Sequence, residues 1–282
     1  MNRKSFNIIM SLIQKQPWLS NKTDLVEHLL FDECDDDLTR ELVIELINRF
    51  EYLDNDRYQL LMREIALEIV TEPNLFEQST LISAMSVGSD ADSGQAIIYS
   101  LKLLLQEQNW TKHKFVNDAL HALKTFKKHA PLKDIIIVDE FIGTGQTVLG
   151  RVKTIREQFA NASISDYTIK IKVLASTEFG LNNILEAGVD VTSKLILKKG
   201  ISQHYDEVEV QSKIDLMLKL EDILSRDYNN REMPSLGYGK AESLYYRSNT
   251  NLPNSVFPIF WWAEYKTKKI RKTLLLRAMG DA

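Results

Sequence analysis

Two neighbouring acids, Asp139 and Glu140, close an apolar run, and Gly143, Thr144, Gly145, Gln146 and Thr147 follow before the chain turns apolar again: IIIVDEFIGTGQTVLG, residues 135–150. A glycine- and threonine-rich loop between a strand and a helix can aim successive backbone N–H groups, and the helix N-terminus, at an anion. Phosphate is the natural guest. The glycines admit close approach and positive φ, and Thr144 and Thr147 add hydroxyl donors. Two carboxylates just upstream would repel a phosphate, so they should face another part of the ligand, and vicinal ribose hydroxyls are good donors to paired carboxylates. A ribose carrying a 5-phosphate meets both needs in one small molecule. The other phosphate signatures, G-x-x-x-x-G-K-[ST] and G-x-G-x-x-G, are absent.

The elements that must position this loop are legible in the periodicity. SFNIIMSLIQK, SNKTDLVEHLL (with a cap expected at Ser20 or Asn21), DDDLTRELVIELINRFEYL and DRYQLLMREIALEIV carry apolar residues at helical spacing, and predict a helical section over residues 1–73. After Pro73 the pattern changes. STLISAMSVG, DIIIV, YTIKIKVLAS and VDVTSKLIL read as strands, and QAIIYSLKLLLQEQ, TVLGRVKTIREQFA and FGLNNILEAG as helices between them. Strands alternating with helices predict an α/β fold, a doubly wound and mostly parallel sheet over residues 74–282. Ligands in such sheets bind at the carboxyl ends of strands, where SVGSDADSG and GTGQT both fall.

Composition narrows the classes. A chain of 282 residues, 44% hydrophobic and 26% charged, can bury a substantial core. No long apolar run and no leader pattern appear, which sets the expectation of a cytoplasmic protein without a membrane partner. The single cysteine, Cys34, stands among acids that oppose thiolate formation, so an inert thiol is expected. Residues 1–78 hold 16 acids against eight Lys and Arg, whereas residues 263–282 hold six basic residues against two acids. The acidic head disfavours DNA reading. The basic end could touch nucleic acid or an acidic partner, but the preferred expectation is a solvated amphipathic helix, IRKTLLLRAM, packed on the body.

The stretch VDEFIGTGQT resembles the phosphoribosyl diphosphate (PRPP) binding motif of class I phosphoribosyltransferases: a hydrophobic strand, two acids, two intervening residues and a T-G-x-T core. The resemblance implies that Asp139 and Glu140 hold ribose hydroxyls and that Gly143, Thr144, Gly145, Gln146 and Thr147 surround the 5-phosphate. GSDADSGQAIIYSLK, LKKGISQHYD and LGYGKAESLYYRSNTNLPNSVFPIFWW further resemble the phosphoribosyltransferase-like domain of bacterial conflict systems, including retron-associated antiviral loci. That likeness implies an effector in phage defence, with PRPP or a nucleotide as ligand and a protein or ribonucleoprotein partner such as a retron reverse transcriptase with its msDNA. The sequence leaves the oligomeric state open, self-association included.

The remaining loops are read beside that resemblance. Family members bind diphosphate at the first loop, which implies a role for Ser86, Val87, Gly88, Ser89 and Gly94. Asp90 and Asp92 are candidate Mg²⁺ ligands acting through water, since hard cations take oxygen donors; solvated turn formers are the bland alternative. The polar insert NWTKHKFVND stands where many family members carry a mobile loop, making Lys112 and His113 candidates for neutralising a departing diphosphate. No histidine lies in a Ser-His-Asp or H-E-x-x-H arrangement. Asn251, Asn254 and Trp261 in the irregular aromatic segment are candidates for a planar base, with plain core packing as the competing account. The function expected is a Mg-assisted pentosyl transfer at C1 of a ribose 5-phosphate. A non-catalytic sensor, as in purine repressors that carry a similar body, and a nucleotide- or NAD-consuming toxin are the alternatives.

Overall fold

Apolar residues three and four apart wind the start of the chain into helices. The structure, a computed structural model describing residues 3–86, 93–129 and 131–278, begins with α1 (Arg3–Lys15), which buries Ile9 and Leu12. Next is α2 (Thr23–His28), entered through Lys22 without a side-chain cap, so neither Ser20 nor Asn21 caps it. It runs on as a π turn over Leu29–Glu33. In α3 (Asp37–Asn48), Asp36 caps the helix by accepting from Thr39 N. A short strand, β1 (Glu51–Leu53), follows.

The chain forms two compact units, Met1–Asp54 with Leu197–Ala282, and Asn55–Ile196. The division expected after residue 73 therefore falls after residue 54, and a second one after residue 196. The reason is α4 (Asn55–Thr71), which packs on the sheet of the second unit through charge. From β5 (Thr168–Thr177), Lys172 reaches Glu68 and Glu72, each at 2.5 Å, and Lys170 reaches Glu72 and Asp190, each at 2.7 Å.

In that second unit β2 (Thr80–Ala84), β3 (Lys114–Val116), β4 (Asp134–Ile142), β5 and β6 (Asp190–Leu197) form one sheet in the order β3-β2-β4-β5-β6. The β2–β3, β2–β4 and β4–β5 pairs are all parallel. The connecting helices are α5 (Ser93–Glu107), α6 (Ala122–Lys128), α7 (Gln146–Asn161) and α8 (Glu178–Glu186). This is the expected α/β architecture. Leu81, Ile135, Ile137, Ile171 and Val173 pack with Ala122, Val152, Ile155, Phe159 and Ile184 in one core on the face covered by α6, α7 and α8. By contrast α5 packs with α4. Alternation along buried strands thus serves both faces. The polar insert after Asn109 holds β3, a 3-10 turn at Ala119–His121 and α6.

The first unit resumes with α9 (Glu207–Glu221), capped by Asp206, an element the sequence reading passed over. A hairpin of β7 (Asp227–Tyr228) and β8 (Arg231–Glu232) turns on Asn229 and Asn230, both at positive φ, the type I′ preference. Then β9 (Tyr245–Arg247) pairs in parallel with β1. Residues 271–278 carry no helix, contrary to expectation. Arg271 is instead drawn inside by a buried Glu33 carboxylate (Nε–Oε1 2.6 Å, Nη2–Oε2 2.5 Å), and its guanidinium also donates to the carbonyls of Ile259 and Trp262. Cys34 is buried, and burial pushes its thiol up to about 12.

Candidate functional site

The strand order reverses its direction of travel at β2 and β4: from β2 the chain moves out to β3, and from β4 to β5 on the other side. A crevice at the carboxyl ends of two such strands is the ligand position of open α/β sheets. Both candidate loops leave from this point, one after β2 and one after β4.

Asp139 and Glu140 are the sixth and seventh residues of β4. As neighbours on a strand they project to opposite faces. Glu140 is 4% exposed, whereas Asp139 is half-buried. Ser93, the first residue of α5, donates its hydroxyl to Asp139 Oδ1 at 3.0 Å, and Glu140 N donates to the same oxygen at 2.8 Å. Asp139 is thereby fixed across the crevice by the element that follows the first loop.

The 143–147 turn opens α7. Gly145 is the N-cap at φ +79°, and Gln146 and Thr147 begin the helix, both exposed. The first N–H groups of a helix have no intrahelical acceptor and carry the positive end of its dipole, so this turn presents donors to an anion. Thr144 points inward: it is buried, and its hydroxyl accepts from Gln146 N at 3.4 Å. The turn is braced from behind by α8. Thr177 donates its hydroxyl to the carbonyl of Gly143 and accepts from Gly180 N (2.9 Å), while Asn183 donates to the Thr144 carbonyl (3.0 Å). Two glycines permit this contact. A Cβ on Gly145 would sit 2.8 Å from the Gly180 carbonyl oxygen, and a Cβ on Gly180 would overlap the Gly143 carbonyl. Ser93, Thr177, Gly180 and Asn183 were not singled out from sequence. The available signal was Thr177 as an N-cap with a glycine three residues on.

On the first loop, Ser86 is buried, and Gly94, in the first turn of α5, lies so close that a Cβ there would be 2.9 Å from Ser86 Oγ. Val87, Gly88, Ser89, Asp90 and Asp92 lie outside the described residues. Among the described residues no group of three or more His, Cys, Asp and Glu is arranged to hold a metal ion.

The register does not bring Lys112 and His113 to this edge. Leu81 of β2 pairs with Lys114, so the preceding residues stand at the amino ends of the strands, opposite the 143–147 turn. Lys112 is paired there with Glu77 (3.4 Å). His113 stacks on Trp110 and meets Phe115 edge-on (5.8 and 4.5 Å between centroids), and burial lowers its pKa. Asn251, Asn254 and Trp261 belong to the first unit. There the Trp261 indole is 2% exposed and donates to the Val256 carbonyl (2.9 Å), which makes it a core side chain. Asn251 Oδ1 accepts from Ala278 N (2.9 Å), and the Asn254 carbonyl accepts from Tyr238 N (2.9 Å).

The family model described as PRTase-CE matches residues 16–272. No curated protein matches the chain. Among solved structures it is similar to orotate phosphoribosyltransferase from Aeropyrum pernix, at 18% identity and a TM-score of 0.33 over 51% of this chain and 72% of that one. It is also similar to xanthine-guanine-hypoxanthine phosphoribosyltransferase from Helicobacter pylori, at 15% identity and a TM-score of 0.32 over 52% and 83%. A hypothetical protein from Neisseria gonorrhoeae with bound ppGpp matches at 11% identity and a TM-score of 0.35 over 59% and 96%.

Proposed function

The chain belongs to the PRTase-CE family, and from that premise we propose that it is a phosphoribosyltransferase-type enzyme acting at C1 of a ribose 5-phosphate, with PRPP or a nucleotide as donor. One observation carries the reading. A half-exposed carboxylate, Asp139, is fixed beside a helix N-terminus whose turn is braced by Thr177, Gly180 and Asn183. The carboxylate suits ribose hydroxyls, and the turn suits the 5-phosphate.

In such a transfer the bond from C1 to the leaving group, C1–O in PRPP and C1–N in a nucleotide, breaks with its electron pair leaving on the departing atom, and the acceptor bonds to C1 through an oxocarbenium-like state. Catalysis then consists mainly of holding the sugar and stabilising the departing charge. Mg²⁺ is part of the proposal. The donor's own diphosphate oxygens would supply most of its coordination, with Asp90 and Asp92 assisting through water, which suits an ion that keeps several waters. A role as a cytoplasmic defence effector, with a protein or ribonucleoprotein partner, is supported by the resemblance of the flanking segments to conflict-system domains. No described helix is long and apolar enough to cross a membrane.

The test is calorimetric titration of the full chain with ribose 5-phosphate, then with PRPP and Mg²⁺. Asp139→Asn is expected to weaken ribose 5-phosphate binding at least about tenfold, the loss of one charge-assisted contact. Wild-type protein that ignores millimolar ribose 5-phosphate would overturn the reading. For the defence role, phage plating efficiency on cells carrying the locus should rise when Asp139→Asn replaces the wild type, and an unchanged efficiency would remove that part of the proposal.

A further inference from the structure

The carboxyl edge of the sheet carries a second set of titratable groups that the reading above does not use. Because β3 runs parallel to β2, the chain beyond Val116 emerges at the same edge as the 143–147 turn. It is tied there by Ala119 N, which donates to the Ser86 carbonyl at 3.2 Å. Asp118 is buried, with Oδ1 accepting from Leu120 N (2.7 Å) and Oδ2 3.4 Å from His121 Nδ1. The His121 ring is largely exposed. The 119–121 turn packs on α7, whose Arg151 senses the Asp118 charge. Arg151 Nε is buried without a hydrogen-bond partner, and burial, partly offset by Asp118, lowers the guanidinium pKa. Asp118 thus faces the His121 imidazole, and its charge is felt at the Arg151 guanidinium. A carboxylate at Nδ1 favours the Nδ1–H tautomer and leaves Nε2 as the proton-accepting atom. Lys124, three residues further on, and Lys127 and Lys128 beyond it on α6 are further charges on the same stretch of chain.

From this arrangement we infer that His121, oriented by Asp118, is the general base that takes the proton of the acceptor. The inference rests on the phosphoribosyl reading of the adjoining crevice. It also names the acceptor class: a neutral O–H or N–H nucleophile, water included, and not an anion already stripped of its proton. As the C1–O bond to diphosphate breaks and its electron pair leaves with the oxygen, the acceptor's X–H attacks C1. The proton passes to Nε2, and the imidazolium is stabilised by Asp118 across Nδ1–H.

The experiment follows diphosphate release from PRPP with Mg²⁺, water as acceptor, across pH, on full-length wild type and on His121→Gln, Asp118→Asn and His129→Gln, with ribose 5-phosphate affinity measured alongside. His121→Gln is expected to bind ribose 5-phosphate like the wild type, to turn over about 10²-fold more slowly, and to lose the acid limb of the pH profile. Asp118→Asn should fall between the two, and His129→Gln should match the wild type. If ribose 5-phosphate binds but His121→Gln keeps both rate and acid limb, the base assignment alone is overturned. It is likewise overturned if the wild type binds the sugar phosphate yet releases no diphosphate at any pH. Failure of the wild type to bind ribose 5-phosphate removes the underlying reading as well.

Discussion

Gly180 shows how much of the candidate site depends on an atom that is missing. Its hydrogen faces the Gly143 carbonyl, and the Thr177 hydroxyl closes on the same oxygen. Gly180→Ala must push the 143–147 turn outward. Overpacking of this kind costs about 1–3 kcal/mol, and ribose 5-phosphate affinity should fall with it. Gly150→Ala, on the exposed side of α7 with nothing within 4 Å, is the control. It should stabilise the chain by about 0.5–1 kcal/mol through helix propensity, read as a shift in urea midpoint, without changing affinity. Glu221 offers a different residue-scale test. Its carboxylate accepts from Ser235 Oγ (2.6 Å) and Leu236 N (3.0 Å), and burial raises its pKa to about 7 against those bonds. Below the ordinary carboxylate range both folded and unfolded chains carry the proton and no penalty exists. As pH rises from about 4.5 to about 7 the unfolded chain ionises first, so stability falls, by on the order of 3 kcal/mol, and then levels off. Glu221→Gln should flatten that slope in denaturant melts between pH 5 and 7.

At the scale of elements, the seam between α4 and β5 is ionic where an apolar one would be expected. Lys172, 2% exposed, sits between Glu68 and Glu72, and Glu68 also accepts from Thr192 (2.6 Å) and pairs with Lys194. Burial opposes ionisation of Glu68, but the bonds from Lys172, Lys194 and Thr192 together outweigh it and hold its pKa at about 2. The stabilisation is present above the ordinary carboxylate pKa and is lost as pH falls through the window down to about 2. Lys172→Met would leave two carboxylates without their shared cation and should cost about 3 kcal/mol, with Lys172→Met/Glu68→Gln recovering part of it, as thermal melts at neutral pH would show. The same seam explains why the sheet was legible in the sequence and the unit boundary was not. Ile135–Val138 and Thr168–Thr177 announce buried strands by apolar content, and the acid-glycine-threonine order announces the loop that follows β4. Glu68, Glu72, Lys170 and Lys172 read as solvated charges, since nothing local says that they will meet. Lys112 and His113 were misjudged for a related reason: only the pairing of Lys114 with Leu81 reveals at which end of the sheet they stand. Trp261 was ambiguous because a large ring suits a core as well as a ligand.

For the whole molecule, the discontinuous unit matters most. Met1–Asp54 and Leu197–Ala282 share one core, in which Leu12, Leu30, Val43 and Leu46 pack with Met217, Phe257, Phe260 and Trp262. A chain ended after Ile196 would leave the first of these faces uncovered. Hydrogen exchange on such a truncation should show α1–α3 amides losing protection while the amides of β4 and β5 retain theirs, because each compact unit carries its own core. Equal loss in both would mean that the two units unfold as one.

That split core also has a temporal side. During synthesis the Asn55–Ile196 stretch can leave the ribosome and close its sheet while the leading helices still wait for Phe257, Phe260 and Trp262, some two hundred residues behind them. At about 5–20 residues per second the delay lasts ten seconds or more, with the leucines and valines of α1–α3 unclad throughout. Nascent-chain profiling should find holdase chaperones gathered on this protein late in translation and departing once the aromatic segment has cleared the exit tunnel.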